Sequence, residues 1–297
     1  MRQPLRKARE GLIYGVLLGC ALVSVVTMLG IITVLVSESV PFFREVSVWS
    51  YLTGTRWSAL LEPRTFGVLP LLAGTVQVAC GALALAVPVG LGAAIYLSEY
   101  ASPRLRTLTK PILEILAGVP TVVYGYFALT FITPDILQRI FPAAEVFNAA
   151  SAAIVVGIMI VPTIASLCDD ALRAVPRSLR EGAYALAANR LEVTARVVLP
   201  GAFSGVVAAV LLALARALGE TMAVTLAAGM TPKLTLNPLT SVQTLTSYIV
   251  QVSLGDTPHG TIEYQSIFAV ALTLFLITLT INVIAQRMIR RFREEYD

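Results

Sequence analysis

This sequence has little charge. Asp, Glu, Lys and Arg make up 13% of its 297 residues, against about 25% in a soluble globular domain. That shortfall excludes a chain folded around one solvated core. The hydrophobic share is 57%, above the roughly 45–50% such a domain carries, and mean hydropathy is +0.79. Histidine is almost missing, with His259 alone, and the three cysteines, Cys20, Cys80 and Cys168, form no C-x-x-C pair. This argues against a zinc site and a disulfide framework, so the cysteines read as small apolar fillers and no metal is expected. No G-x-x-x-x-G-K-S/T occurs, so no loop of this chain cradles nucleotide phosphates. No nucleophile–base constellation stands out, and neither does an internal repeat or a low-complexity tract. The chain reads as a non-enzyme, and energy for any active process must come from another polypeptide.

What is present is a series of long apolar runs. A helix needs about 20 apolar residues to cross the hydrocarbon core. Six stretches qualify, at about 12–36, 68–97, 112–132, 149–167, 203–230 and 267–284. The first has a basic start, yet its run is longer than a signal-peptide core and no A-x-A site follows, so it reads as a retained span. The net charge of +4 and pI near 9.1 do not point to nucleic acid, because the basic residues cluster between the apolar runs. Sixteen of the 22 Lys and Arg fall in 1–11, 98–111, 168–202 and 285–297. Five (Arg44, Arg56, Arg64, Arg139 and Lys233) fall in the alternate segments, and Arg216 lies within a span. Such a bias places both termini in the cytoplasm. The expected fold is an all-α polytopic membrane protein with six transmembrane helices.

The outer segments have their own pattern. The first, about 37–67, carries Phe42, Phe43, Trp49, Tyr51 and Trp57, residue types that anchor at membrane interfaces. The last, about 231–266, has room for an amphipathic helix at about 242–254 that caps the outer mouth.

Three spans carry helix-disturbing residues: Pro88, Gly90 and Gly92 in the second, Gly118 and Pro120 in the third, Pro162 in the fourth. These free backbone groups that neighbouring helices or water must satisfy, and kinks let helices bend. Pro88, Gly118 and Pro120 are therefore candidate hinges or gates. In the fifth span, ALARALGETMAV (213–224) puts Arg216 near the bilayer centre and Glu220 one turn later, on the same helix face. A central charge costs roughly 2.5–3.5 kcal/mol on insertion scales. Pairing offsets part of this, but a buried pair seldom stabilises more than apolar residues of the same size. A transport pathway is the better reason for it. Guanidinium binds oxyanions through a planar fork, and release demands weak binding, which Glu220 would secure by competing for the donors. Arg216, Gly219, Glu220 and Thr221 form the candidate pathway, with Gly219 permitting close helix approach. A structural ion pair locking two helices is the competing reading.

The longest basic segment, 169–203, has helical grammar. Ser178 and Glu181 fit a capping box that starts a helix at about 179–188, with Leu179, Ala183 and Leu186 in one stripe. Asn189 fits a left-handed stop. A second helix, about 191–199, runs to Pro200, which opens the next span. Two short helices at an inner surface make a docking platform.

The pattern E-G-A-x-x-x-A at 181–187, followed by Leu199 and Pro200, resembles the EAA-loop signature of ABC-importer permeases. In that family the loop's short helix inserts into a cleft of the ATPase. Gly182 stands where the family usually has alanine, and Ala187 where it usually has glycine. The stretches YLTGTRW (51–57), AIYLSEYA (94–101), LAGVPTVVYGYFAL (116–129) and RALGETMAV (216–224) are similar to phosphate-specific transport permeases, and GETMAV resembles the PstC-type subunit. The resemblance runs from about residue 53 to the C-terminus. It implies a type I importer permease fold in the bacterial inner membrane. It also implies a PstA-like permease partner, two PstB-like ATPases carrying ATP and Mg, and a PstS-like phosphate-binding protein outside. The chain itself would hold no cofactor. Coupling would run through Glu181, Gly182, Ala183, Ala187, Leu199 and Pro200, and the anion path past Arg216 and Glu220.

On this reading residues 1–66 form an N-terminal span with its outer segment. Residues 67–289 form the permease core with coupling loop 169–200, and 290–297 a cytoplasmic tail. The expected function is import of inorganic phosphate by alternating access, driven by separate ATPase subunits. Other oxyanions (molybdate, tungstate or sulfate) fit the same architecture. An ion-coupled secondary transporter fits the intramembrane charges but not the docking loop, and a lipid-modifying membrane enzyme has no charged cluster at a membrane face to support it.

Overall fold

A computed structural model describes the backbone of residues 3–292 and the side chains of residues 10–288. The basic residues at 2–9 and the expected tail at 290–297 lie outside the described side chains. The elements are α1 (Gln3–Glu45), α2 (Val48–Thr53), β1 (Trp57–Ser58), β2 (Thr65–Phe66), α3 (Leu69–Ile95), α4 (Pro103–Ala117), α5 (Thr121–Phe127), α6 (Ala149–Ala174), α7 (Arg177–Ala185), α8 (Arg190–Val193), α9 (Phe203–Leu218), α10 (Met222–Ala228), α11 (Leu245–Ser253) and α12 (Ile262–Phe292). Four helices, at Glu10–Glu45, Leu69–Tyr100, Ala149–Ala174 and Ile262–Met288, are long and apolar enough to cross a bilayer alone. Two bent pairs bring the total to six if each pair is one span.

Those pairs correct two sequence expectations. The third span is not one helix from 112. Pro103–Ala117 and Thr121–Ile140 meet at 84°, so the chain turns sharply between them. The first, α4, has no buried residue and exposes Leu105, Leu108, Ile112 and Ile115 along one stripe. If the second piece crosses, α4 lies near the membrane plane, as an amphipathic interfacial helix does. The fifth span is likewise not continuous from 203 to 230: α9 ends at Leu218 and α10 begins at Met222. It is also approached at 69° by the segment Arg190–Gly201, so the turn falls two residues after Pro200.

The centre of the molecule is α3 against α6. Both are rich in small residues, which lets backbones approach closely where lipid supplies no hydrophobic drive. A Cβ on Gly90 would sit 2.8 Å from the Ile164 side chain, and one on Gly157 would sit 3.1 Å from the Ala82 carbonyl. α3 runs unbroken through Pro88. By contrast α1 leaves nearly all its apolar side chains exposed, as a lipid-facing helix does.

A second core lies at the end away from the coupling loop. Phe42, Tyr51, Trp57, Val68, Leu71, Leu245 and Tyr248 are buried together, beneath the two-residue pairing of β1 with β2. Edge-to-face ring contacts link Phe42 to Tyr51, Tyr51 to Trp57 and Trp57 to Tyr248, the last at 4.8 Å. The aromatics read as interfacial anchors therefore build a core instead; of that group only Trp49 is strongly exposed, at 76%. The expected outer helix is present as α11, and its buried residues belong to this core.

Candidate functional site

Two broken spans meet side by side. At the first break, Gly118 ends α4 and its amide donates to the Glu114 and Ile115 carbonyls at 3.1 and 3.0 Å. Pro120 then caps α5 in an extended conformation, which a proline favours and an α4 continuation would not allow. Tyr124 bridges the break, its hydroxyl donating to the Leu116 carbonyl at 2.9 Å. That satisfies one of the orphan acceptors at a helix end. α5 packs on α10 at Gly125, where a Cβ would lie 2.9 Å from the Leu226 Cβ and 3.1 Å from the Ala223 Cα.

At the second break the chain leaves the helix at Gly219. The Arg216–Glu220 pair expected on one face is absent, because Glu220 lies outside α9 and, among the described residues, no ion pair joins the two. The Glu220 carboxylate accepts from the Ala223 amide at 3.2 Å, serving the first turn of α10 as a cap does. Its carbonyl accepts from the Thr246 hydroxyl of α11 at 2.8 Å. The Thr221 hydroxyl donates to the Gly219 carbonyl at 3.1 Å, and the Thr221 carbonyl accepts from the Thr225 hydroxyl at 2.7 Å. Arg216 is exposed, and its guanidinium donates to the Thr163 hydroxyl of α6 at 3.0 Å. Guanidinium has five donors, so most of its capacity is uncommitted. Sequence reasoning missed Thr163 and Tyr124. Tyr124 falls in the quoted motif but carries no charge, and Thr163 follows the Pro162 that drew attention instead.

The segment 169–203, expected to couple to an ATPase, is organised differently from expectation. α7 starts at Arg177 behind Pro176, so Ser178 lies inside the helix and forms no capping box. The box is at Asn189 and Glu192: Asn189 Oδ1 accepts from the Glu192 amide at 3.0 Å, and Glu192 Oε2 from the Asn189 amide at 2.9 Å. Asn189 is therefore the start of α8 and not a left-handed stop. The left-handed residue is Ala187, at φ 60°. Glu181 and Gly182 are exposed, and Ala183 and Leu199 are partly buried against the main core, with Pro200 exposed. Leu186 is 85% and Leu191 68% exposed, with Leu179 and Tyr184 also open. Arg180 ties this segment to the spans. Its guanidinium donates to the Val175 carbonyl, to the Leu172 carbonyl at 2.7 Å and to Glu99 Oε1 at 3.1 Å.

At the opposite end, Glu145 latches two loops. Its carboxylate accepts from the Ser241 amide at 2.8 Å and from Lys233 Nζ at 3.3 Å. The Ser241 amide, and then Lys233, hold its carboxyl below the usual glutamate range.

The sequence pattern of the family described as "Binding-protein-dependent transport system inner membrane component" matches residues 86–294. The chain is 34% identical over 275 residues to a probable ABC transporter permease protein of Bacillus subtilis, YqgH, covering 90% of this chain and 88% of that one. It is 36% identical to the phosphate transport system permease protein PstC 1 of Mycobacterium tuberculosis, over 76% and 73% of the two chains. Among solved structures, the MetNI methionine ABC transporter in inward-facing form aligns with TM-score 0.58 and 19% identity, over 77% of this chain and 95% of that one. A bacterial ABC transporter involved in the import of the acidic polysaccharide alginate aligns with TM-score 0.65 and 16% identity, over 99% and 100%. At those identities the structures speak to fold alone. With a family match over most of its length, the chain belongs to the inner-membrane components of binding-protein-dependent transport systems, as a multi-pass permease with the ABC-importer fold.

Proposed function

We propose that the chain is the permease subunit through which an ABC importer moves inorganic phosphate into the cytoplasm. The observation that carries this reading is Arg216: an exposed guanidinium beside two helix breaks, with no carboxylate partner among the described residues. A fixed positive charge lowers the barrier to an anion, and a fork of donors suits tetrahedral oxyanions. The relatives named for phosphate transport support the substrate. Glu220 serves as a structural cap and keeps α10 in place beside the path, with Gly219 and Thr221 forming the bend. Gly118 and Pro120 act as the hinge at the neighbouring break.

The partner set follows from the same reading: a second permease of PstA-like kind, two PstB-like ATPases binding ATP and Mg, and a PstS-like phosphate-binding protein. Both termini and the coupling loop face the cytoplasm. The exposed Leu186, Leu191, Tyr184 and Leu179 form the apolar surface that enters the ATPase cleft, next to Glu181 and Gly182. ATP drives the cycle by favouring one of two states, and this chain carries no hydrolytic step.

Replacing Arg216 with Gln is expected to abolish phosphate uptake while the complex still assembles, read by uptake into proteoliposomes and by co-purification. Normal uptake by that variant would remove Arg216 from the path.

A further inference from the structure

We infer that the basic end of the molecule holds a second anion site, separate from the path at Arg216 and built to take a phosphate group. A cleft of about 400 Å³ is lined by Ser98, Glu99, Arg173, Arg177, Arg180 and Arg190. At about 30 Å³ per water, it has room for a phosphate group and several waters.

Three of its four guanidinium groups are held in place. Arg180 is 16% exposed and bonded to two carbonyls and to Glu99, itself 8% exposed. Arg173 is paired with the buried Asp169 at 3.1 Å. Arg190 lies over the Tyr100 ring, 4.9 Å from its centroid. Glu99 and Asp169 each offset part of the charge of one arginine, and Asp169 is shared with Arg106. Among the described residues no ion pair joins Arg177 or Arg190 to a carboxylate, and Glu99 is the one carboxylate lining the cleft with them. The cleft therefore keeps an excess of positive charge, with its donors pre-positioned. Arginine forks of this kind recognise phosphate by paired hydrogen bonds.

The four arginines come from three different elements. Arg173 lies in the last turn of α6, Arg177 and Arg180 belong to α7, and Arg190 opens α8, while Ser98 and Glu99 lie in the helical segment Tyr96–Tyr100 that continues α3. An anion bound here staples the segment we assign to ATPase docking onto two spans. It thereby favours the arrangement in which they meet. The chemistry fits free inorganic phosphate or the phosphate of an anionic lipid headgroup from the adjoining leaflet. Only the docking role rests on the importer reading; the anion site does not.

The test uses the whole transporter complex in nanodiscs, without the external binding protein. Equilibrium binding of radiolabelled inorganic phosphate is measured in zwitterionic lipid. Retained phosphatidylglycerol is measured by mass spectrometry in a second set. The proteins are the wild type, Arg216→Gln, and the double variant Arg177→Gln/Arg190→Gln, with Arg177→Lys/Arg190→Lys as a control for charge and folding. Loss of charge-assisted hydrogen bonds from both arginines should weaken binding about tenfold or more. Phosphate bound by the wild type and by Arg216→Gln but lost in the double Gln variant identifies free phosphate as the ligand. Phosphatidylglycerol retained by the wild type and lost in the double Gln variant identifies the headgroup. Equal occupancy by both anions in the wild type and the double Gln variant, or binding by neither, overturns the site. Phosphate binding lost in Arg216→Gln alone, with phosphatidylglycerol retained equally by every variant, also overturns it, and leaves the path reading standing.

Discussion

Ala187 holds a left-handed conformation, φ 60°, without being glycine. That conformation costs an L-residue about 1–2 kcal/mol, and glycine relieves it at some cost in unfolded-state entropy. Ala187→Gly is therefore expected to stabilise the complex by about 0.5–1 kcal/mol, read as a raised denaturation midpoint, while Ala187→Val lowers it. A lowered midpoint for the glycine variant would show that the turn does not need this geometry. Glu145 makes a pH prediction. Its carboxyl is held below the ordinary range by the Ser241 amide and Lys233, so its folded-state pKa lies below its unfolded value. The latch is then fully present above the ordinary glutamate range, near pH 4.3, and is lost as pH falls through the lowered value. Protection of the Ser241 amide, corrected for intrinsic exchange, should drop at the acid end in the wild type. In Glu145→Gln it should be low throughout and insensitive to pH.

The helices show where sequence reasoning reaches and where it stops. Hydropathy located the four helices that are long and apolar enough to cross alone, because length and apolarity are local properties. The break at Gly118–Pro120 was legible too, since proline cannot extend α4. The break at Gly219 was not: RALGETMAV reads as one apolar helix with a charged pair. At that break a tertiary bond, from the Thr246 hydroxyl to the Glu220 carbonyl, joins a local one, from the Ala223 amide to the Glu220 carboxylate. The candidate pathway residues were named in advance, but their pairing was misread for that reason. In the coupling segment, S-L-R-E and N-R-L-E both fit a capping box. Pro176 sets the start of α7 and puts Ser178 inside the helix, so only the second one forms. The aromatic outer core was illegible because Phe42, Tyr51, Trp57 and Tyr248 are brought together by the whole chain. At this scale α5 packs closely on α10 at Gly125. Gly125→Val should force the half-helices apart at Leu226, costing about 1–3 kcal/mol, and lower both complex stability and uptake. Unchanged stability would mean that the two breaks are not held against each other.

As a whole, the molecule carries its chemistry at three levels along one axis. An aromatic core and the Glu145 latch lie at one end, two helix breaks with Arg216 between the ends, and the arginine-lined coupling segment at the other. A long α1 stands outside with its apolar side chains exposed, and the permease core packs around α3 and α6. This division suits the proposed importer, in which the exposed leucines at 179, 186 and 191 meet a separate ATPase. The most direct test is the ATPase activity of the reconstituted complex in proteoliposomes, with the external binding protein and phosphate, molybdate or sulfate in turn. Stimulation by phosphate alone is the predicted result. Stimulation by another oxyanion in its place would contradict the substrate, and absence of any associated ATPase would contradict the importer itself.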